Sequence, residues 1–170
     1  MEIIEYMGQS YPALQATGHA SRFCQAFALE ILRPDKNDVL DIGYGKEIWK
    51  LPGASGIDIA DGLTDLHAMS LPYTDGTVDG IFSSHFLEHY LGRFQEVIEY
   101  WLTKLKVGGH IFIYLPNCEH QKYWAWGNKK HIHYLSPKIM QEFCETLDVS
   151  HYLVTEGYDL NSSFYCVITK

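Results

Sequence analysis

The stretch Val39-Leu40-Asp41-Ile42-Gly43-Tyr44-Gly45 constrains the fold more than any other, because it is a short apolar strand that opens into a glycine turn at its carboxyl end. Runs of this kind are buried on both faces, the habit of a parallel sheet. In an open α/β sheet the carboxyl ends of the strands are where a nucleotide-like ligand sits. Glycine lets the backbone approach such a ligand closely, and Asp41 accepts a hydrogen bond from an ammonium or a backbone amide. The next apolar run, Ser55-Gly56-Ile57-Asp58-Ile59, ends on an acid, and a carboxylate there takes both ribose hydroxyls as donors. Two glycines after a strand are by themselves only a tight turn, so the rest of the chain decides between the readings.

The chain alternates strand and helix patterns throughout. Ala20 to Leu32 carries a helical apolar stripe stopped by Pro34. Fewer than about two helical turns separate Gly45 from the second strand. A third short strand is expected around Leu66 to Met69 and a fourth over Val78 to Ser84, running into a helix with apolar positions Leu87, Leu91, Phe94, Ile98, Trp101 and Leu105. Gly108-Gly109 releases a fifth strand, His110 to Leu115, which stops at Pro116. Ser136-Pro137 opens a helix to about Leu147, the serine as N-cap and the proline in the first turn. Two last strands are expected at His151 to Thr155 and Phe164 to Thr169. The whole predicts a doubly wound, mostly parallel seven-stranded α/β sheet with helices on both faces. One domain spans residues 1–170, with a helical N-terminal segment over 1–34 and a substrate loop over 117–135.

Composition narrows the function. A chain of 170 residues buries enough surface for a core of its own. The formal net charge of −8 argues against a broad electrostatic grip on nucleic acid. The longest apolar runs are too short to cross a bilayer, and the acids of Met1-Glu2-Ile3-Ile4-Glu5 stand where a secretory signal carries bases, so a cytoplasmic protein is expected. Cys24, Cys118, Cys144 and Cys166 are widely separated and read as reduced, mostly buried thiols.

Four blocks in order then carry a resemblance. Asp41-Ile42-Gly43-Tyr44-Gly45, Gly56-Ile57-Asp58, the Leu71-Pro72-Tyr73 that precedes Thr74-Asp75-Gly76-Thr77-Val78-Asp79, and Ser83-Ser84-His85-Phe86-Leu87-Glu88-His89 followed by Leu105-Lys106-Val107-Gly108-Gly109 resemble the class I S-adenosylmethionine-dependent methyltransferases. The resemblance implies a Rossmann-like methyltransferase fold and S-adenosylmethionine as cofactor, with S-adenosylhomocysteine as product. It also implies roles: Asp41, Gly43, Tyr44 and Gly45 at the methionine end, Asp58 on the ribose, and Ile59 against the adenine. His67, Ala68 and Met69 would lie at the adenine edge, and Ser83, Ser84 and His85 beside the sulfonium. Three features depart from the family pattern. Glu47 replaces the third glycine and His67 the acid expected at the adenine edge, and Leu51-Pro52-Gly53 stands in for the first helix, as in one branch of the family.

Nine histidines are many for this length. His85 and His89 are four apart with Glu88 between them, one face of a helix. That spacing lacks the H-E-x-x-H order and a third ligand nearby, so no metal is expected. His131 and His133 lie in the aromatic loop with Tyr123, Trp124, Trp126 and Tyr134; they are either solvated or contact an acceptor. His133 and His85 are the catalytic bases to test, since imidazole titrates near neutrality. Trp101 reads as core. The reading is methyl transfer to a small-molecule or glycan-like acceptor. The alternatives are a non-catalytic cofactor-binding partner subunit and a dinucleotide-dependent oxidoreductase, the latter disfavoured because its third fingerprint glycine would fall at Ile48.

Overall fold

Short apolar runs bounded by turns make the strands, and amphipathic stripes make the helices that cover them. The computed structural model describes residues 3–6, 9–12, 21–58, 68–119, 131–155 and 163–170. In chain order these form β1 (Ile3–Tyr6), β2 (Gln9–Pro12), α1 (Ser21–Leu32), β3 (Val39–Ile42), β4 (Ser55–Ile57), β5 (Val78–Ser84), α2 (Phe94–Lys104), β6 (Leu105–Pro116), α3 (Pro137–Cys144), β7 (Ser150–Val154) and β8 (Ser163–Thr169). The main sheet has six strands in the order β4-β3-β5-β6-β8-β7. Pairs β3–β4, β3–β5 and β5–β6 are parallel, and β8 joins β6 and β7 antiparallel.

Side-chain alternation along the strands divides the core into two layers. On β6, Ile111, Ile113 and Leu115 pack on one face with Phe94, Val97, Ile98 and Trp101 of α2 and Met140, Phe143 and Cys144 of α3. Phe112 and Tyr114 pack on the other with Cys24, Ala28 and Leu32 of α1. Strand β8 divides likewise, Phe164, Cys166 and Ile168 against Tyr165 and Val167. A sheet buried on both faces explains why these strands read as continuous apolar runs rather than alternating ones.

Several expectations are corrected. The sheet of the described residues has six strands, not seven: Ala68 and Met69 form a turn, and Leu66 and His67 lie outside the described residues. The N-terminal segment holds the antiparallel pair β1–β2 as well as a helix. The helix after β5 does not begin at Leu87. Leu87–His89 is a single 3-10 turn, the chain breaks at 90–93, and Leu91 is 92 % exposed rather than on the buried stripe. Strand β6 begins at Leu105 and carries Gly108–Gly109 within it, because its register against β5 shifts between Val78 and Gly80. A Cβ on Gly109 would stand 2.8 Å from the Asp79 carbonyl, so only glycine passes there. The cap of α3 is as expected: Ser136 Oγ accepts from the Ile139 amide at 3.4 Å, with Pro137 opening the helix. No disulfide joins the four cysteines, and three of them are buried. No helix of the described residues is long and apolar enough to cross a membrane.

Trp101, fully buried as expected, also ties α2 to the segment before β5. Its Nε1–H donates to the Ala68 carbonyl at 2.9 Å, and the Leu71 amide donates to the Tyr100 hydroxyl at 3.0 Å. Trp101→Phe leaves a void and a buried carbonyl without its donor. Urea unfolding should show a loss of about 2–4 kcal/mol; a loss near zero would mean that this carbonyl regains a partner.

Candidate active site

Parallel pairing of β3, β4, β5 and β6 brings their carboxyl ends to one edge of the sheet: Gly43-Tyr44-Gly45, Asp58, Ser83-Ser84-His85 and Asn117. The glycine turn is locked onto β4. The Gly43 amide donates to the Ile57 carbonyl at 2.9 Å, and the Gly45 amide donates to Asp58 Oδ2 at 2.7 Å. Gly43 and Gly45 take φ of +80° and +71°, the left-handed region that favours glycine. A Cβ on Gly43 would also collide with the Phe86 ring, and one on Gly45 would stand 3.4 Å from Trp49. The Phe86 ring therefore crowds Gly43, a constraint the motif itself does not reveal, whereas Trp49 is only in ordinary contact range of Gly45.

Asp41 is 1 % exposed, and its Oδ2 accepts from the Leu51 amide at 2.6 Å. Its Oδ1 is buried and accepts no hydrogen bond. Burial pushes the carboxyl up to about 7, against the lowering effects of the Leu51 amide and the Lys50 charge.

The other expected positions divide. The Tyr44 ring is buried and lies against Gly56, beneath the Lys50 ammonium 5.8 Å from its centroid. Ser83 is buried with its hydroxyl donating to the Ile42 carbonyl at 3.0 Å, a strut between β5 and β3. Ala68 sits in the core with its carbonyl held by Trp101, and Met69 packs beside it half-buried. Ser84 Oγ is buried with no hydrogen bond. Ile59 and His67 lie outside the described residues, as do Tyr123, Trp124 and Trp126.

His85 is not helical. Its φ is +52°, its ring meets Tyr114 edge-on at 5.2 Å between centroids, and its buried Nε2 has no hydrogen bond. Its Nδ1 lies 3.1 Å from Glu88 Oε1, and His89 Nε2 lies 3.7 Å from the same oxygen. Although both nitrogens are near, neither oxygen of the fully buried Glu88 accepts a well-directed hydrogen bond. The third group missing from the sequence neighbourhood arrives across the fold. The amides of Ile132 and His133 donate to the Glu88 carbonyl at 2.8 and 3.2 Å, which sets the His131 ring 4.6 Å from that of His89. Burial pulls His131 down to about 4, so it is neutral at physiological pH. His133 is a latch: its Nε2–H donates to the carbonyls of Tyr90 and Gly92 at 2.9 and 2.7 Å, and the ring meets Phe94 edge-on.

Sequence reasoning gave no role to Phe86, Glu88 or Asn117. Phe86 and Glu88 sit inside a motif that was read for its other positions. Asn117 follows the Pro116 that ends β6, is 5 % exposed, and its Oδ1 accepts from the Glu119 amide at 3.0 Å. An open groove lined by Ile31, Arg33, Asn37, Asp79 and Lys106 lies at the opposite, amino ends of β5 and β6. Lys106 is already paired there with Asp79 at 2.7 Å, and ligands of open α/β sheets bind at the carboxyl ends, so the site is assigned to the latter.

Because Asp41 holds its proton more tightly folded than unfolded, its stabilising contribution is complete below the unfolded value of 3.8 and is lost as pH rises through about 7. Asp41→Asn keeps an acceptor for the Leu51 amide and removes this titration. Between pH 4 and pH 8 the wild type should lose stability relative to the variant, by at most on the order of 4 kcal/mol. Urea unfolding across that range checks it, and parallel curves would contradict it.

The chain matches no protein-family model, and no curated protein matches it in sequence. Solved structures do match. A SAM-dependent methyltransferase from Archaeoglobus fulgidus is 18 % identical, with 88 % of this chain and 94 % of that one covered at a TM-score of 0.65. The putative methyltransferase of Haloferax volcanii, solved in complex with the Trm112 methyltransferase activator, is 14 % identical over 92 % and 93 % of the two chains at 0.64. The 1,6-didemethyltoxoflavin-N1-methyltransferase of Burkholderia thailandensis, solved with bound 1,6-didemethyltoxoflavin and S-adenosylhomocysteine, is 15 % identical over 88 % and 76 % of the two chains at 0.61. At these identities the likeness is one of architecture, and the chain has the fold of the class I S-adenosylmethionine-dependent methyltransferases.

Proposed function

We propose that the chain is an S-adenosylmethionine-dependent methyltransferase acting on a small-molecule or glycan-like acceptor. The observation that carries the reading is a concentration of buried polar atoms without hydrogen bonds at the carboxyl ends of β3 and β5. Asp41 Oδ1, Ser84 Oγ, His85 Nε2 and both Glu88 oxygens all lie there. Such groups are rare in native folds and mark places where a ligand or ion completes the bonding. The donor and acceptor set suits the cofactor. Asp58 would accept from the ribose hydroxyls while holding the Gly45 amide, Asp41 and the glycine turn would face the methionine end, and Ser84 and His85 the sulfonium side. Ile59, His67, Ala68 and Met69 belong to the adenine end in this reading.

When bound, the cofactor supplies a methyl group on an already activated leaving group, so alignment of the acceptor provides much of the rate. His85 is the base this geometry favours over His133, whose Nε2–H is engaged by two backbone carbonyls. The small-molecule substrate of the Burkholderia protein supports the acceptor class, and the net charge of −8 weighs against nucleic acid.

S-adenosylhomocysteine at 100 times its dissociation constant should stabilise the protein by about 2.7 kcal/mol. Asp58→Asn retains an acceptor for Gly45 but replaces the other oxygen with a donor, so the dissociation constant should rise about 5- to 150-fold with little change in unliganded stability. Calorimetry and thermal unfolding read both. Absence of any stabilisation at millimolar ligand would overturn the proposal, and an unchanged dissociation constant in the variant would remove Asp58 from the ribose.

A further inference from the structure

We propose that Glu88, His89 and His131, with His85 beside them, form a binding site for a divalent transition-metal ion, zinc being the ion that this donor set suits. One ligand atom from each of Glu88, His89 and His131 lies within 4.8 Å of the others. Tetrahedral ligands at about 2.1 Å from one ion stand about 3.4 Å apart, so side-chain rotations that close the cluster by up to roughly 1.4 Å bring all three into range. Two imidazoles and a carboxylate are the protein ligands of a zinc site that keeps a position open for a further ligand, and the same donors accept neighbouring first-row ions.

Burial supplies an independent argument. Glu88 is 0 % exposed, and the His85 and His89 ring nitrogens that stand 3.1 and 3.7 Å from its Oε1 are not in hydrogen-bond geometry. A carboxylate removed from water without hydrogen bonds is costly unless a cation stands beside it. A divalent ion between Glu88, His89 and His131 supplies that cation. The backbone is arranged to hold the cluster: the Ile132 and His133 amides converge on the Glu88 carbonyl, and His85 sits beside it at a φ of +52°. A left-handed histidine is strained, and strain of this kind gathers at functional sites. The inference does not depend on methyl transfer, since it concerns metal affinity alone.

The test is a titration of chelator-treated full-length protein with Co²⁺, followed by Zn²⁺. Visible d–d absorption should saturate at one equivalent and be abolished by Zn²⁺. His89→Ala and His131→Ala should each weaken Co²⁺ binding about 100-fold or more, given that lost second-sphere partners alone cost 10- to 100-fold. His151→Ala, on β7, should bind as the wild type does. Should either ligand variant fail to fold, the wild type still decides the matter. On adding Zn²⁺, NMR signals of the His89 and His131 ring nitrogens should shift while those of His110 and His151 stay in place. Absence of Co²⁺ bands up to millimolar metal, binding retained in the folded variants, or ring shifts spread evenly over all histidines would overturn the site. S-adenosylhomocysteine affinity, measured in parallel, reports on the methyltransferase reading separately.

Discussion

The hydrogen bond from the Leu51 amide to the buried Asp41 carboxylate is the constraint on which the carboxyl-end edge of the sheet depends. Parallel strands need a crossover of about a dozen residues or more, usually a helix, and residues 43–54, which separate β3 from β4, only just reach that length. One 3-10 turn, Glu47–Trp49, replaces the helix. So short a connection cannot bury an apolar face of its own, and it is pinned by polar contacts instead. Asp41 holds Leu51, Gln25 Nε2 donates to the Trp49 carbonyl at 2.9 Å, and Asp58 holds the Gly45 amide. Leu51 itself is fully buried beside α1. An acid with this bracing task cannot be judged by ligand contacts alone.

The same edge of the sheet concentrates the polar groups that the fold leaves incompletely bonded. Elsewhere the buried core of the described residues is apolar and divided into two layers, and polar groups within it have partners, as with Ser136 on the Ile139 amide and Trp101 on Ala68. At the end of β5 the chain leaves the strand through a left-handed histidine, and the next carboxylate is buried among three imidazoles. A buried polar network that is only partly satisfied is unfavourable in an apolar interior. Its persistence beside Asp58 and the glycine turn is a physical reason to assign chemistry there.

The fold was largely legible in the chain because its signals are local. Strand β3 and its glycine turn, β5, the Ser136-Pro137 helix start and the final strand pair are each specified by neighbouring residues through apolar runs, caps and turn chemistry. Where prediction failed, a longer-range effect prevailed. The stripe that includes Leu87 and Leu91 suggested one continuous helix, whereas the backbone contact between Glu88 and the segment 132–133 accompanies a break that turns Leu91 to solvent. Strand β6 reaches back through two glycines because pairing with β5 tolerates a bulge there.

By itself the sequence determined the alternation of strands and helices, the position of the glycine turn at a strand's carboxyl end, and the acid that follows on the next strand, since all of these depend on periodicity and short-range stereochemistry. Only the tertiary structure decided that Phe86 crowds Gly43, that His133 latches the Tyr90 and Gly92 carbonyls, and that His131 joins Glu88 and His89. Residues 88 and 131 are far apart in the chain. They meet because two backbone amides close on one carbonyl, a contact that leaves no trace in spacing or composition.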